Sequence, residues 1–71
     1  MEYTVVEKRR RECGREKGWL AKKVGVARGT MTLILKGSST PTLPVAIRIA
    51  RILETTVEEL WGHLVEEESR E

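Results

Sequence analysis

Arg28, Gly29, Thr32, Leu33 and Lys36 are the residues whose types and spacing point to chemistry. On a helix these five positions share one face, opposite Met31 and Ile34. A guanidinium such as that of Arg28 can hold a guanine through O6 and N7. Gly29 adds no side chain and lets backbone approach a groove. Thr32 and Leu33 can touch a thymine methyl, and Thr32 can also hydrogen-bond. Thr30 and Lys36 suit phosphate oxygens. This is the chemistry of recognition, not of bond making. The sequence holds no Cys–His or Ser–His–Asp set that could converge and no phosphate-cradling glycine loop. The single Cys13 and single His63 cannot build a zinc site or an internal disulfide. An enzyme is not expected, and neither is a cofactor, a metal or a small-molecule ligand.

Such a face needs a scaffold, and the flanking residues supply one. Leu20 and Val24 stand four apart and share a face, as do Met31 and Ile34 three apart. These pairs predict one helix from about Glu16 to Val24 and another from about Arg28 to Lys36. Gly25 can take the left-handed conformation that closes the first and turns the chain. Val26 can plug the gap between the two faces, and Ala21 lets the backbones approach. That is the logic of a helix-turn-helix.

Residues 20–37, L-A-K-K-V-G-V-A-R-G-T-M-T-L-I-L-K-G, resemble the Xre-like family of the phage repressor and Cro type. Its pattern is L-A-x-x-x-G-V-S-R-x-T-V-S-x-I-E-x-G, followed by a proline and a helix with I-A-x-x-L. Here Pro41, then Ile49-Ala50-Arg51-Ile52-Leu53, then Val57-Glu58-Glu59-Leu60 stand in those places. The resemblance covers residues 5 to 61. It implies an all-α, compact five-helix lambda-repressor-like DNA-binding domain with a central helix-turn-helix. It also implies a phosphate contact from Lys17, where family members often carry Gln. An arginine at the position of Arg10 often pairs, in the family, with a glutamate near the end of the recognition helix. Leu35 stands there in this chain, leaving Arg10 for phosphate or for solvent. Two other departures are Ala27, where Ser or Thr normally caps the recognition helix, and Glu54, where the family usually has Gly.

The remaining elements follow in order. Thr4 and Glu7 fit a capping box that opens a helix from Val5 to Cys13, with Val6, the stem of Arg10 and Cys13 facing inward. A competing reading makes residues 3–6 a short strand. The basic run Arg9-Arg10-Arg11 is either a solvated face or a phosphate contact. Trp19 falls outside the Leu20/Val24 stripe and is expected to pack on the first helix or the start of the fourth, the alternative being a phosphate contact from its indole N–H. Gly37 should end the third helix. The loop of Ser38, Ser39 and Thr40 offers hydroxyls and free N–H groups to phosphates. A fourth helix, Leu43 to Leu53, opens with Thr42 and Pro44 and is apolar almost all round, so it should lie central or partly under another chain. Thr56 and Glu59 open a fifth. Trp61, Leu64 and Val65 form a candidate dimer patch. Residues 1–65 read as one domain, and residues 66–71 as an acidic, frayed tail.

Charge agrees with the site. Residues 1–37 carry ten Lys or Arg against four Glu, a net of +6, and residues 38–71 a net of −4. The positive half holds the helix-turn-helix, the footprint of a polyanion binder. No apolar run approaches the ~20 residues of a membrane span, and no signal peptide is present. With a Met at position 1 and no separate sensor domain, a cytoplasmic, prokaryotic or phage-encoded protein is expected, nucleoid-associated when bound. The function expected is a sequence-specific double-stranded DNA-binding transcriptional regulator, a homodimeric repressor. The alternative is an antitoxin or adaptor that presents Leu33, Leu35 and Trp61 to a protein partner, although by position on α3 Leu35 reads as core-edge and Leu33 as the more exposed.

Overall fold

The computed structural model describes residues 3–65. The tail 66–71 lies outside them. Five α-helices follow in order: α1 Val5–Cys13, α2 Lys17–Val24, α3 Arg28–Lys36, α4 Leu43–Ile52 and α5 Val57–Trp61, with a 3-10 turn over Gly62–Leu64. No strand occurs among the described residues, so Tyr3 and Thr4 are a lead-in to α1 and the strand reading of 3–6 does not hold.

One core joins all five helices. Leu20, Val24, Met31, Ile49, Leu53 and Leu60 are fully buried, with Val6, Ala21, Ile34, Leu35 and Ala50 beside them. The Leu20/Val24 and Met31/Ile34 faces meet as their spacing predicts, and Val26 packs against the core where α2 turns into α3. Gly25 takes φ 91°, and the amides of Gly25 and Val26 both return to the Ala21 carbonyl at 2.9 and 3.0 Å. The fourth helix is only half covered. Ala46, Ile49 and Ala50 are buried, whereas Leu43 and Ile47, four apart on the outer stripe, are exposed.

Helix ends in so small a domain leave carbonyls without intrahelical partners. Side chains from other helices answer several of them. Thr4 Oγ1 donates to the Leu35 carbonyl at 2.7 Å while accepting from the Glu7 amide at 3.0 Å, so one hydroxyl opens α1 and closes α3. Arg9 Nε donates to the Leu53 carbonyl at 2.8 Å and Arg9 Nη2 to the Glu54 carbonyl at 3.1 Å. Cys13 Sγ reaches the same Leu53 carbonyl at 3.4 Å. Arg48 Nη1 donates to the Val24 carbonyl at 3.2 Å, tying α4 to the end of α2. Two of these donors are cations at helix C-termini, where the backbone dipoles favour positive charge. The capping boxes are half-formed. Thr4 and Thr56 accept from the Glu7 and Glu59 amides, but the two carboxylates turn elsewhere, Glu7 to arginines and Glu59 to the Thr55 hydroxyl. No helix among the described residues is long and apolar enough to cross a membrane.

The end of α4 repeats a closure seen at α1 and α3. At α3, Gly37 has φ 86° and the Ser38 amide bonds the Leu33 carbonyl at 3.0 Å. At α4, the Thr55 amide bonds the Ala50 carbonyl at 2.9 Å and the Glu54 amide bonds the Arg51 carbonyl at 3.2 Å. Glu54 occupies the left-handed position at φ 57°, where glycine sits at the other two. The left-handed region costs a residue with a Cβ about 1 kcal/mol or more. Glu54→Gly should therefore raise the melting temperature by about 4–8 °C for roughly 1 kcal/mol gained in a domain of this size. Calorimetry checks this, and an unchanged or lower midpoint would show that the turn stores no such strain.

Candidate nucleic-acid interface

The packed face of α3 is Met31, Ile34 and Leu35, all buried. Its other side is open. Arg28, Gly29, Thr30, Leu33 and Lys36 are exposed and Thr32 is half-buried. Leu33 keeps 47% of its surface in solvent, too much for a packing residue of the domain. Thr32 Oγ1 donates to the Arg28 carbonyl at 3.1 Å, which leaves its lone pairs and its methyl for an outside contact. Ala27 caps α3 with no side-chain hydrogen bond, as its type requires. Arg28, Lys17 and Lys36 form no ion pair among the described residues. Their charge is not spent inside the domain. The scaffold thus fixes α3 from three directions, by its buried face, by Thr4 at its C-terminus and by the Gly25–Val26 turn at its start.

Two expectations change in detail. Leu35 is only 3% exposed, so it belongs to the core and cannot be presented to a partner. Arg10 is neither free nor solvated. Its Nε and Nη2 donate to Glu7 at 3.0 and 2.6 Å, and its Nη1 donates to the Arg15 carbonyl at 2.6 Å. Arg11 Nε donates to the same Glu7 at 2.7 Å, and its guanidinium lies 4.1 Å from the centre of the Tyr3 ring. Together with Arg9 on the end of α4, the whole basic run of α1 is used internally. Trp19 is not part of the buried core. It is 39% exposed, with the Arg15 guanidinium 4.8 Å and the Lys23 ammonium 5.6 Å from its ring.

The loop after α3 is partly committed too. The Ser38 and Ser39 amides both bond the Leu33 carbonyl, at 3.0 and 3.3 Å, so their N–H groups are not free for an anion. The hydroxyls of Ser38 and Thr40 remain exposed, and Ser39 is half-buried. Lys17 begins α2 and is half-buried. At the other end of the chain, Trp61 packs partly against the core, while Leu64 and Val65 are exposed. Leu64, Trp61 and His63 line a cleft of about 60 Å³ with Thr4, Gly37, Ser39 and Thr40, which brings the candidate dimer patch beside the 38–40 loop. Sequence reasoning missed Glu7 as a buried carboxylate. Its arginines stand three and four residues on, and that spacing was the signal.

The helix-turn-helix geometry now has its counterpart in known proteins. The sequence pattern of the helix-turn-helix domain matches residues 5–61. The chain belongs to this Xre-like helix-turn-helix family. An uncharacterized HTH-type transcriptional regulator of Archaeoglobus fulgidus is 38% identical over 67 residues, covering 83% of this chain and 96% of that protein. Another from Methanothermobacter thermautotrophicus is 42% identical over 50 residues, covering 70% of this chain and 72% of the relative. Among solved structures, a chain of the SinR protein/SinI protein complex matches with a TM-score of 0.70 at 23% identity, over 86% of this chain and 63% of that one. That likeness establishes the shared all-α fold. Members of the family with these names are transcriptional regulators, a class without enzymatic chemistry.

The Glu7 cluster gives a pH dependence with a definite sign. Hydrogen bonds from Arg10 hold the Glu7 carboxyl below the usual glutamate range. Burial opposes this, and the Arg11 hydrogen bond and both positive charges add to it. A carboxyl depressed in the folded state stabilises the fold above its ordinary titration range, and that stabilisation drains away as pH falls through the lowered native value. Glu7→Gln should thus lower stability near neutrality and flatten the loss of stability on acidification below about pH 4.5. Urea melts at a series of pH values read both. Parallel curves for the two proteins would mean that Glu7 is not the titrating group.

Proposed function

We propose that this protein is a sequence-specific double-stranded DNA-binding transcriptional regulator, a repressor that works as a homodimer in the cytoplasm and on the nucleoid. One observation carries the reading. The outward side of α3 is solvent-exposed and carries unpaired charge, while its inward side and both its ends are held by the domain. A rod held in that way can enter a major groove without rearrangement.

The roles divide by chemistry. Arg28, Thr32 and Leu33 read base edges, and Gly29 lets the α3 backbone come close. Lys17, Thr30, Lys36 and the hydroxyls of Ser38, Ser39 and Thr40 hold phosphates. Arg10 is left out of this set because Glu7 and the Arg15 carbonyl already occupy its guanidinium. One module this small meets few bases. Two modules on a two-fold axis would read half-sites about one helical turn, ~34 Å, apart. Leu64 and Val65 are proposed to make that dimer, with Trp61 supporting them from behind. The family membership supports DNA as the partner. The antitoxin or adaptor reading loses Leu35 to the core and finds Trp61 partly packed against it, which leaves Leu33 as the exposed member of its set.

Selection from random duplex DNA, then affinity at two salt concentrations, tests the reading. Arg28→Ala should flatten the preference among operators, by the ~1–3 kcal/mol that a bidentate arginine contributes at one base pair. Lys17→Ala should weaken all sequences alike and make the salt slope shallower by about one unit. An unchanged preference in Arg28→Ala would remove α3 from the groove.

A further inference from the structure

Gly18 stands in the first turn of α2, a place where glycine costs up to about 1 kcal/mol relative to alanine. The structure shows what its missing side chain makes room for. A Cβ built on Gly18 would lie 3.9 Å from Arg28 Nε and 4.0 Å from Arg28 Cζ. The guanidinium of the first residue of α3 therefore lies over the bare first turn of α2. Arg28 also lacks an ion-pair partner among the described residues. Its charged end thus lies against the bare first turn of α2 at Gly18, and no carboxylate among the described residues pairs with it.

We infer that Gly18 is a positioning residue for base recognition: the absence of a side chain there seats the Arg28 guanidinium, and so sets which base pair Arg28 addresses. The inference rests on the reading of Arg28 as a base contact. Its steric content is specific. Alanine at position 18 would meet the guanidinium at ordinary van der Waals distance, so the seat survives. A longer side chain extends beyond that Cβ toward the guanidinium and displaces it, and two parallel N–H bonds to one guanine edge do not tolerate displacement. Gly18 itself makes no contact with a base in this account.

The test uses the full chain with three substitutions, Gly18→Ala, Gly18→Leu and Gly18→Gln, beside Arg28→Ala as reference. Each is profiled against the selected operator with every base pair varied in turn. Gly18→Ala should keep the wild-type profile and melt at a higher temperature. Gly18→Leu and Gly18→Gln should lose about tenfold or more of the preference at the one base pair whose preference Arg28→Ala abolishes, and keep the others, with the salt slope unchanged. Without DNA, the Arg28 side-chain Nε–Hε resonance should move in Gly18→Leu and Gly18→Gln. Glutamine, a polar side chain at this half-buried first turn, keeps the test open if leucine disturbs folding. A merely structural Gly18 would lower affinity evenly across sequences, and that result overturns the inference. So does a wild-type profile in both longer variants while Arg28→Ala loses its preference, an outcome that leaves the DNA-binding reading standing. If Arg28→Ala keeps its preference, the reading of Arg28 fails first and the inference goes with it.

Discussion

Helices of eight to ten residues make up most of this domain, and each ends on carbonyls that water or protein must answer. The ends of α2, α3 and α4 are answered by side chains drawn from elsewhere: Arg48 on Val24, Thr4 on Leu35, and Arg9 with Cys13 on Leu53. These hydrogen bonds do what the apolar core alone cannot. Burial of Met31 or Leu60 is non-directional, so it brings helices together without fixing where one stops against another. A hydroxyl that caps α1 and also bonds the last turn of α3 fixes the register of both. Orientation of α3 is the property on which a recognition face depends, and Thr4 sits at the joint.

The same contacts redistribute the charge. By formal count the first 37 residues are strongly basic. In the fold, Arg9, Arg10 and Arg11 serve carbonyls, a buried carboxylate and the Tyr3 ring, while Arg15 and Lys23 lie over Trp19. What stays unpaired along α2 and α3 includes Lys17, Arg28 and Lys36. A field made by a few well-placed cations favours phosphate at particular spots, whereas a field spread over the whole lobe would favour polyanions without regard to position. Internal use of α1's arginines thus sharpens the electrostatics of the face that remains.

Much of this was legible in the residue order because it is local. Spacings of three and four among Leu20, Val24, Met31 and Ile34 fix two buried faces, and Gly14, Gly25 and Gly37 all take the left-handed turns that end helices. The strain at Glu54 was legible only through the family resemblance, which places glycine where this chain has Glu. Legibility stopped where partners are far apart in sequence. Arg9 meets carbonyls 44 and 45 residues away, and nothing near position 9 announces it. Leu35 was ambiguous because a residue at the edge of a helical stripe is buried or exposed according to what faces it, and Thr4 with α1 covers that edge. Trp19 lies outside the core, with Arg15 and Lys23 over its ring. Residues 66–71, expected as an acidic, frayed tail, lie outside the described residues.

The central claim is that a firmly held α3 presents its open side to a duplex. Amide chemical-shift mapping on titration with a selected operator, beside a scrambled duplex of equal length, addresses it most directly. The account predicts that operator-specific shifts concentrate on residues 28–33 and Lys36, with smaller ones at Lys17 and residues 38–40. Shifts that were alike for both duplexes, or that centred on α1 and α4 and spared α3, would contradict it.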